Sequence, residues 1–174
     1  MTHEGAASYV RLRTQRDLVD CVQVLAQVHL HSGYPVNWPE RPAAWLTPPA
    51  LLGAWVAELD GRIVGHVSLS RSRAGDVAPG LWSARRGVGV GMTAVVGRLF
   101  VAPSARGHGI GASLMARAVA KAREQALHPL LDVVATDTAA VALYERLGWR
   151  LLGTVEQRWG PAQSVTVRCY AAAT

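Results

Sequence analysis

The chain has 174 residues, half of them apolar, and a formal charge of +6. That is enough for one domain with its own core. Its apolar stretches are broken well before the roughly 20 residues of a membrane span. The start, Met1 to Tyr9, lacks the basic and apolar regions of a secretory signal, so one cytoplasmic domain over residues 1–174 without membrane association is expected.

Cys21 and Cys169 lie far apart in apolar segments without metal or disulfide spacing. They are expected to be buried small residues, and no metal site is expected. The positive charge would suit an anionic partner. All basic residues but Lys121 are arginines, however, scattered and without an RNP, zinc-finger or helix-turn-helix signature. Nucleic acid is therefore not an expected partner.

Taken in order, Tyr9 to Arg13 is predicted as a short strand. Thr14 with Asp17 resembles a capping box opening a helix from Gln15 to about Leu30, with Leu18, Val22, Leu25 and Leu30 facing the core. His31 to Pro49, interrupted by prolines, reads as a packed loop with room for a short helix. Leu51 to Leu59 and Arg62 to Ser70 form a hairpin around Asp60-Gly61, a type I′ turn signal.

Arg71 to Gly91 reads as a polar, glycine-rich connection, followed by a strand at Thr93 to Val101. Gly109 to about Leu127 carries Ile110, Leu114, Ala118 and Ala122 on one helical stripe. A buried strand, Leu130 to Ala135, precedes a short helix through Leu147, capped by Asp137 or Thr138 and stopped by Gly148. Arg150 to Trp159 and Ser164 to Ala171 form a last hairpin. The order predicts an α/β fold of the α+β mixed-sheet kind, mostly antiparallel with a central parallel strand pair, flanked by helices. The unit from Thr93 to Ala135 should be a right-handed crossover, whose first loop lies at the carboxyl edge, where ligands bind.

That loop, Val101-Ala-Pro-Ser-Ala-Arg106-Gly-His-Gly-Ile-Gly111, passes from strand to helix through three alternating glycines. Exposed N–H groups at a helix start, with the helix dipole and Arg106, suit a phosphate or pyrophosphate. Glycines allowing tight packing are the alternative. The spacing is neither a nucleotide P-loop nor a dinucleotide fingerprint.

The run Leu99-Phe-Val-x-Pro-x-x-Arg106-x-x-Gly109-x-Gly111 resembles the [Arg/Gln]-x-x-Gly-x-[Gly/Ala] signature of the GNAT acetyltransferases. Downstream, Asp137-x-x-Ala140-x-x-Leu143-Tyr144-Glu145-x-Leu147-Gly148-Trp149 is similar to the family's Asn-x-x-Ala-x-x-Leu-Tyr-Glu-x-x-Gly-Phe segment, with Asp137 where Asn is usual. The resemblance implies a GNAT-like fold and an N-acetyltransferase using acetyl-CoA or another acyl-CoA. By the same carry-over, Leu99, Phe100 and Val101 hold the pantetheine. Arg106, Gly107, His108, Gly109, Ile110, Gly111 and Ala112 hold the pyrophosphate. Asp137 stands beside the cofactor, and Tyr144 protonates the departing thiolate.

A phenol of pKa about 10 can donate to a thiolate whose conjugate acid is near 8.5, whereas an aromatic packing its own helix is the plain alternative. An acceptor amine protonated at neutral pH needs a base, for which Asp132 is the first candidate, with Glu58 and His66 on the central hairpin as others. Tyr34, Trp38, Glu58, Trp82 and Trp159 are candidate acceptor contacts, though such tryptophans also serve cores. The expected acceptor is an amine of a small molecule or peptide, and a homodimer through the last hairpin is open. A non-catalytic acyl-CoA-binding domain is the alternative function, since Arg98 stands on a strand where a glutamate would be more telling.

Overall fold

The structure, a computed structural model, describes residues 7–174. The elements are β1 (Ser8–Leu12), a 3-10 turn (Gln15–Asp17), α1 (Leu18–Ser32), α2 (Pro42–Trp45), β2 (Leu51–Leu59), β3 (Arg62–Arg71), α3 (Val77–Arg86) and β4 (Thr93–Val101). They continue with α4 (Ile110–Glu124), β5 (His128–Val134), α5 (Thr138–Arg146), β6 (Arg150–Gly160) and β7 (Gln163–Ala171). The strands follow the order β1-β2-β3-β4-β5-β7-β6 in one seven-stranded mixed sheet. β4 and β5 run parallel; β1 with β2, β5 with β7 and β6 with β7 are antiparallel. Among the described residues, no helix is long and apolar enough to cross a membrane.

The chain divides into two compact units, one of the described residues up to Leu69 with Arg98–Ala118, the other of Ser70–Gly97 with Val119–Thr174. In the first, Asp60 and Gly61 both take positive φ, 53° and 72°, as a type I′ hairpin turn requires. The Asp17 carboxylate accepts from the Thr14 N–H and hydroxyl, but the turn it closes is 3-10, and α1 proper starts at Leu18. The inward stripe of α1 is Leu18, Cys21, Val24, Leu25 and Val28. Leu30 is 88% exposed, because the buried face recurs at intervals of three and four and passes it by. Ile110, Leu114 and Ala118 of α4 are buried as their spacing predicts. A Cβ on Gly65 of β3 would lie 3.0 Å from Leu114 Cδ1 and 3.3 Å from Ile110 Cγ2, so the missing side chain lets α4 seat on this strand.

In the second unit, the alternation of β7 sorts its two faces. Val167, Cys169 and Ala171 join Ala78, Trp82, Leu130 and Leu152 in a core under α3, whereas Tyr170 stacks toward Tyr144 of α5. The helix α3 occupies the segment that the sequence reads as a loop. Its Pro79 and Gly80 depress intrinsic propensity, but Pro is tolerated in a first turn. Asp76 stands at the N-cap but its carboxylate accepts from Arg73 N, and Asp132 of β5 accepts from the Ala78 N–H at 3.2 Å in its place.

Candidate active site

In the first unit, β4 ends at Val101 and a 3-10 turn, Pro103–Ala105, leads to an exposed segment, Arg106–Gly109, before α4 starts. Gly107 and Gly109 have φ of 84° and 72°, a left-handed backbone that costs other residues roughly 1–2 kcal/mol. A Cβ built on either would meet nothing within 4 Å. Tight packing therefore does not explain these glycines; backbone direction does. Ser113 N donates to Gly109 O, starting the helical ladder, while among the described residues the loop and cap hydrogen bonds use no N–H of residues 107–112. Those donors lie at the positive end of a 15-residue helix, a setting that favours an anion. Arg106 flanks it, with Nη2 donating to Ser32 Oγ at 3.2 Å, and His108 turns Nδ1 to Ala105 O at 3.0 Å. The donor set suits a phosphate or pyrophosphate.

Upstream, Arg98 breaks the regularity of β4 with φ of 53°. His66, fully buried, donates from Nδ1 to the Arg98 carbonyl at 2.8 Å, and its ring stacks on Phe100 at 5.2 Å. Arg13 Nη1 lies 2.9 Å from His66 Nε2. Since a guanidinium only donates, that nitrogen must accept, and the ring is neutral. Burial lowers the His66 pKa to about 4, with the nearby Arg13 and Arg98 charges acting in the same direction. Glu58 accepts from Tyr9 and from Arg11, which hold its carboxyl below the usual range. Tyr34 meets Trp45 edge-on at 6.2 Å, and Trp38 lies tilted against His29 at 5.3 Å.

In the second unit, α5 presents Tyr144, 7% exposed, to Trp149 and Tyr170, with centroids 6.2 and 6.3 Å away. Tyr170 donates to Glu145 Oε1 at 2.9 Å, fastening α5 to β7. Asp137 caps α5, accepting from Ala140 N at 3.2 Å. The Asp132 pKa is raised, chiefly by desolvation of its carboxylate under α3, although the residue is otherwise exposed on β5. Trp82 stacks on His128 at 4.1 Å with Arg86 over its ring, beside a pocket of about 480 Å³ that also takes in Arg123 and Met92. Trp159 is 40% exposed on β6, with its indole N–H bonded to Gln157.

The structure thus gathers Arg106 to Ala112 into one turn, and Asp137 with Tyr144 on one helix. Tyr34 and Trp38 have separate aromatic partners, and Trp82 and Trp159 lie on different elements of the second unit. Sequence reasoning passed over Trp45 and the lock between Glu145 and Tyr170. The signal for the irregularity at Arg98 was Gly97, since a glycine inside a strand often marks a bulge.

A family model, the acetyltransferase (GNAT) family, matches residues 20–149. The chain belongs to that family: it is an acetyltransferase that draws on acetyl-CoA. No curated protein matches it in sequence. Among solved structures it is similar to an N-acetyltransferase from Staphylococcus aureus Mu50, with 16% identity and a TM-score of 0.73, covering 95% of this chain and 98% of that one. It is also similar to an acetyltransferase from Salmonella typhimurium solved with its cofactor acetyl-CoA, at 20% identity and TM-score 0.66, over 96% and 95% of the two chains. A third is the ribosomal-protein-alanine N-acetyltransferase of Brucella melitensis, at 22% identity and TM-score 0.69, over 95% and 99%. At these identities the likeness is one of fold.

Proposed function

We propose that the chain is one N-acetyltransferase domain that transfers an acetyl group from acetyl-CoA to the amine of a small molecule or peptide by direct attack. The observation that carries this reading is the exposed left-handed Gly107 and Gly109 pair with free N–H groups ahead of α4. Arg106 to Ala112 would hold the pyrophosphate, and the backbone of Leu99, Phe100 and Val101 the pantetheine. When bound, acetyl-CoA supplies an acetyl carbon activated as a thioester.

The remaining chemistry falls to side chains. The Tyr144 hydroxyl would donate a proton to the thiolate that leaves when the acceptor nitrogen takes the acetyl group. The extra proton on nitrogen leaves to Asp132, directly or through water; its raised pKa brings it nearer to a working base than an ordinary carboxylate. Once that proton has passed through solvent to the phenolate, the side chains return to their starting state. Tyr34, Trp38, Glu58, Trp82 and Trp159 are proposed on the acceptor side, and Asp137 near the cofactor through its helix cap. The cytoplasm is the proposed compartment.

Release of free thiol from acetyl-CoA in the presence of an amine panel tests the reading. Amine-dependent release that falls steeply in Tyr144→Phe supports it. Acetyl-CoA binding without release with any amine would turn the assignment to a non-catalytic acyl-CoA-binding domain.

A further inference from the structure

The carboxylates and arginines of the first unit are unevenly matched. Arg11 takes both nearby acids, with Nη1 2.8 Å from Asp17 and Nη2 2.8 Å from Glu58. Among the described residues, Arg13 and Arg98 have no carboxylate at ion-pair distance. Arg13 is nevertheless engaged through both Nη groups, donating to Leu46 O at 2.7 Å and Thr47 Oγ1 at 2.8 Å as well as facing His66.

Arg98 is not. Its Nε donates to Trp45 O at 3.2 Å and its guanidinium lies 3.9 Å from the centre of the Trp45 ring. Its two Nη groups have no acceptor among the described residues. No side-chain nitrogen in the described part is both fully buried and unpartnered, so these groups keep some contact with solvent. Burial lowers the pKa of both arginines, outweighing the opposing influence of Cys21 and Asp17 on Arg13 and of the Tyr34 phenol on Arg98. The nearest imidazole, His66, is neutral and relieves nothing.

A merely structural residue on this stretch would be chosen otherwise. The left-handed backbone at residue 98 favours Gly or Asn over a long side chain, and an apolar residue would cover Trp45 without desolvating a charge. What Arg supplies here is a planar fork, stacked on an indole with its Nη groups unclaimed by any acceptor among the described residues, which matches a carboxylate through two parallel hydrogen bonds. It directly precedes Leu99 to Val101, the backbone proposed to hold the pantetheine.

We infer that the acceptor is an amino acid-like molecule, whose amine is acetylated while its own carboxylate pairs with the Nη groups of Arg98 over the Trp45 and Tyr34 rings. The inference rests on the acyltransferase reading above and narrows its acceptor to amines that also carry an anion.

The test compares leucine, phenylalanine and lysine with their α-carboxamides, by thiol release at saturating acetyl-CoA, in the native protein, Arg98→Gln and Arg98→Lys. The amides hold the more weakly basic amine, so intrinsic reactivity works against the expected result. The native protein should favour the acids by about tenfold or more in kcat/KM, the scale of a charge-assisted hydrogen-bond pair. Arg98→Gln should bring the ratio toward one through a raised KM for the acids, and Arg98→Lys should keep part of the preference. Acetyl-CoA affinity and thermal unfolding should be retained in both variants. A native protein indifferent to the carboxylate, or an Arg98→Gln variant that loses acids and amides equally, overturns the inference. Calorimetric titration of the same amino acids into the native protein and Arg98→Gln gives a readout independent of turnover. Arg98-dependent binding of acids without acetyl-CoA binding would leave the carboxylate site and refute the acyltransferase reading. Acetyl-CoA binding without Arg98-dependent binding of acids would do the reverse.

Discussion

His66 Nδ1 donates to the carbonyl oxygen of Arg98 at 2.8 Å, and the imidazole that makes this bond is fully buried and neutral. The unfolded chain takes up a proton at this residue near pH 6.5, whereas the folded one resists until about pH 4. Between those values the unfolded state binds more protons, so stability falls as the pH is lowered. The slope should approach about 1.4 kcal/mol per pH unit from this residue. Half-buried His128, whose pKa is also lowered, adds in the same direction. Urea unfolding between pH 7 and 4.5 should show this loss, and His66→Gln should flatten it. An unchanged slope in His66→Gln would place the proton uptake elsewhere.

Asp132 has two separable roles. As the acceptor for Ala78 N–H it holds the start of α3, and as a carboxylate of raised pKa it is the proposed base. Asp132→Asn keeps an oxygen for Ala78, so its urea midpoint should stay near that of the native protein, while turnover of amines protonated at pH 7 falls. Asp132→Ala should lose about 1 kcal/mol of stability as well, the usual scale of a lost cap. Equal turnover in the native protein and Asp132→Asn would remove the base assignment and leave the cap.

Tyr144 and Tyr170 form one aromatic cluster, but only Tyr144 is given a proton to move. Tyr144→Phe should lower kcat by about a hundredfold, within the usual span of general acid catalysis, and leave acetyl-CoA binding intact. Tyr170→Phe, which breaks the bond to Glu145, should cost about 1 kcal/mol of stability, read by urea unfolding. A larger kcat loss in Tyr170→Phe than in Tyr144→Phe would reverse the assignment.

Gly65 has a packing role that activity does not report directly. Gly65→Ala must push Leu114 and Ile110 aside, since its Cβ would fall 3.0 and 3.3 Å from them. The expected cost is about 1–3 kcal/mol, as for overpacking, seen as a lowered melting temperature. Gly107→Ala and Gly109→Ala meet no neighbour; their cost is backbone strain of roughly 1–2 kcal/mol together with weakened acetyl-CoA binding. A Gly65→Ala variant that melts with the native protein would show that α4 shifts freely on β3.

Where local sequence and tertiary environment agree, the fold is legible in the chain. Asp60-Gly61 forces its hairpin, Ile110 to Ala122 set the buried stripe of α4, and Asp137 caps α5 as its chemistry suggests. The turn Arg106 to Gly111 is equally readable, because a left-handed backbone leaves glycine as its mark. What escaped depends on distant partners. The helix α3 contains Pro79 and Gly80 and takes its cap from Asp132, 54 residues on. Arg98 occupies a backbone conformation that its side chain disfavours, and its setting on Trp45 arises from a residue 53 positions earlier. Leu30 shows the converse: an apolar residue out of phase with its stripe remains in water.

The cradle ahead of α4 is most directly tested by calorimetric titration of acetyl-CoA into the native protein and into a double variant, Arg106→Ala with Gly109→Trp. The native protein should bind one acetyl-CoA per chain, and the double variant, still folded by its melting curve, should bind none. A native protein that takes up no acetyl-CoA, or a folded variant that binds as well as the native one, would contradict the placing of the cofactor on this turn.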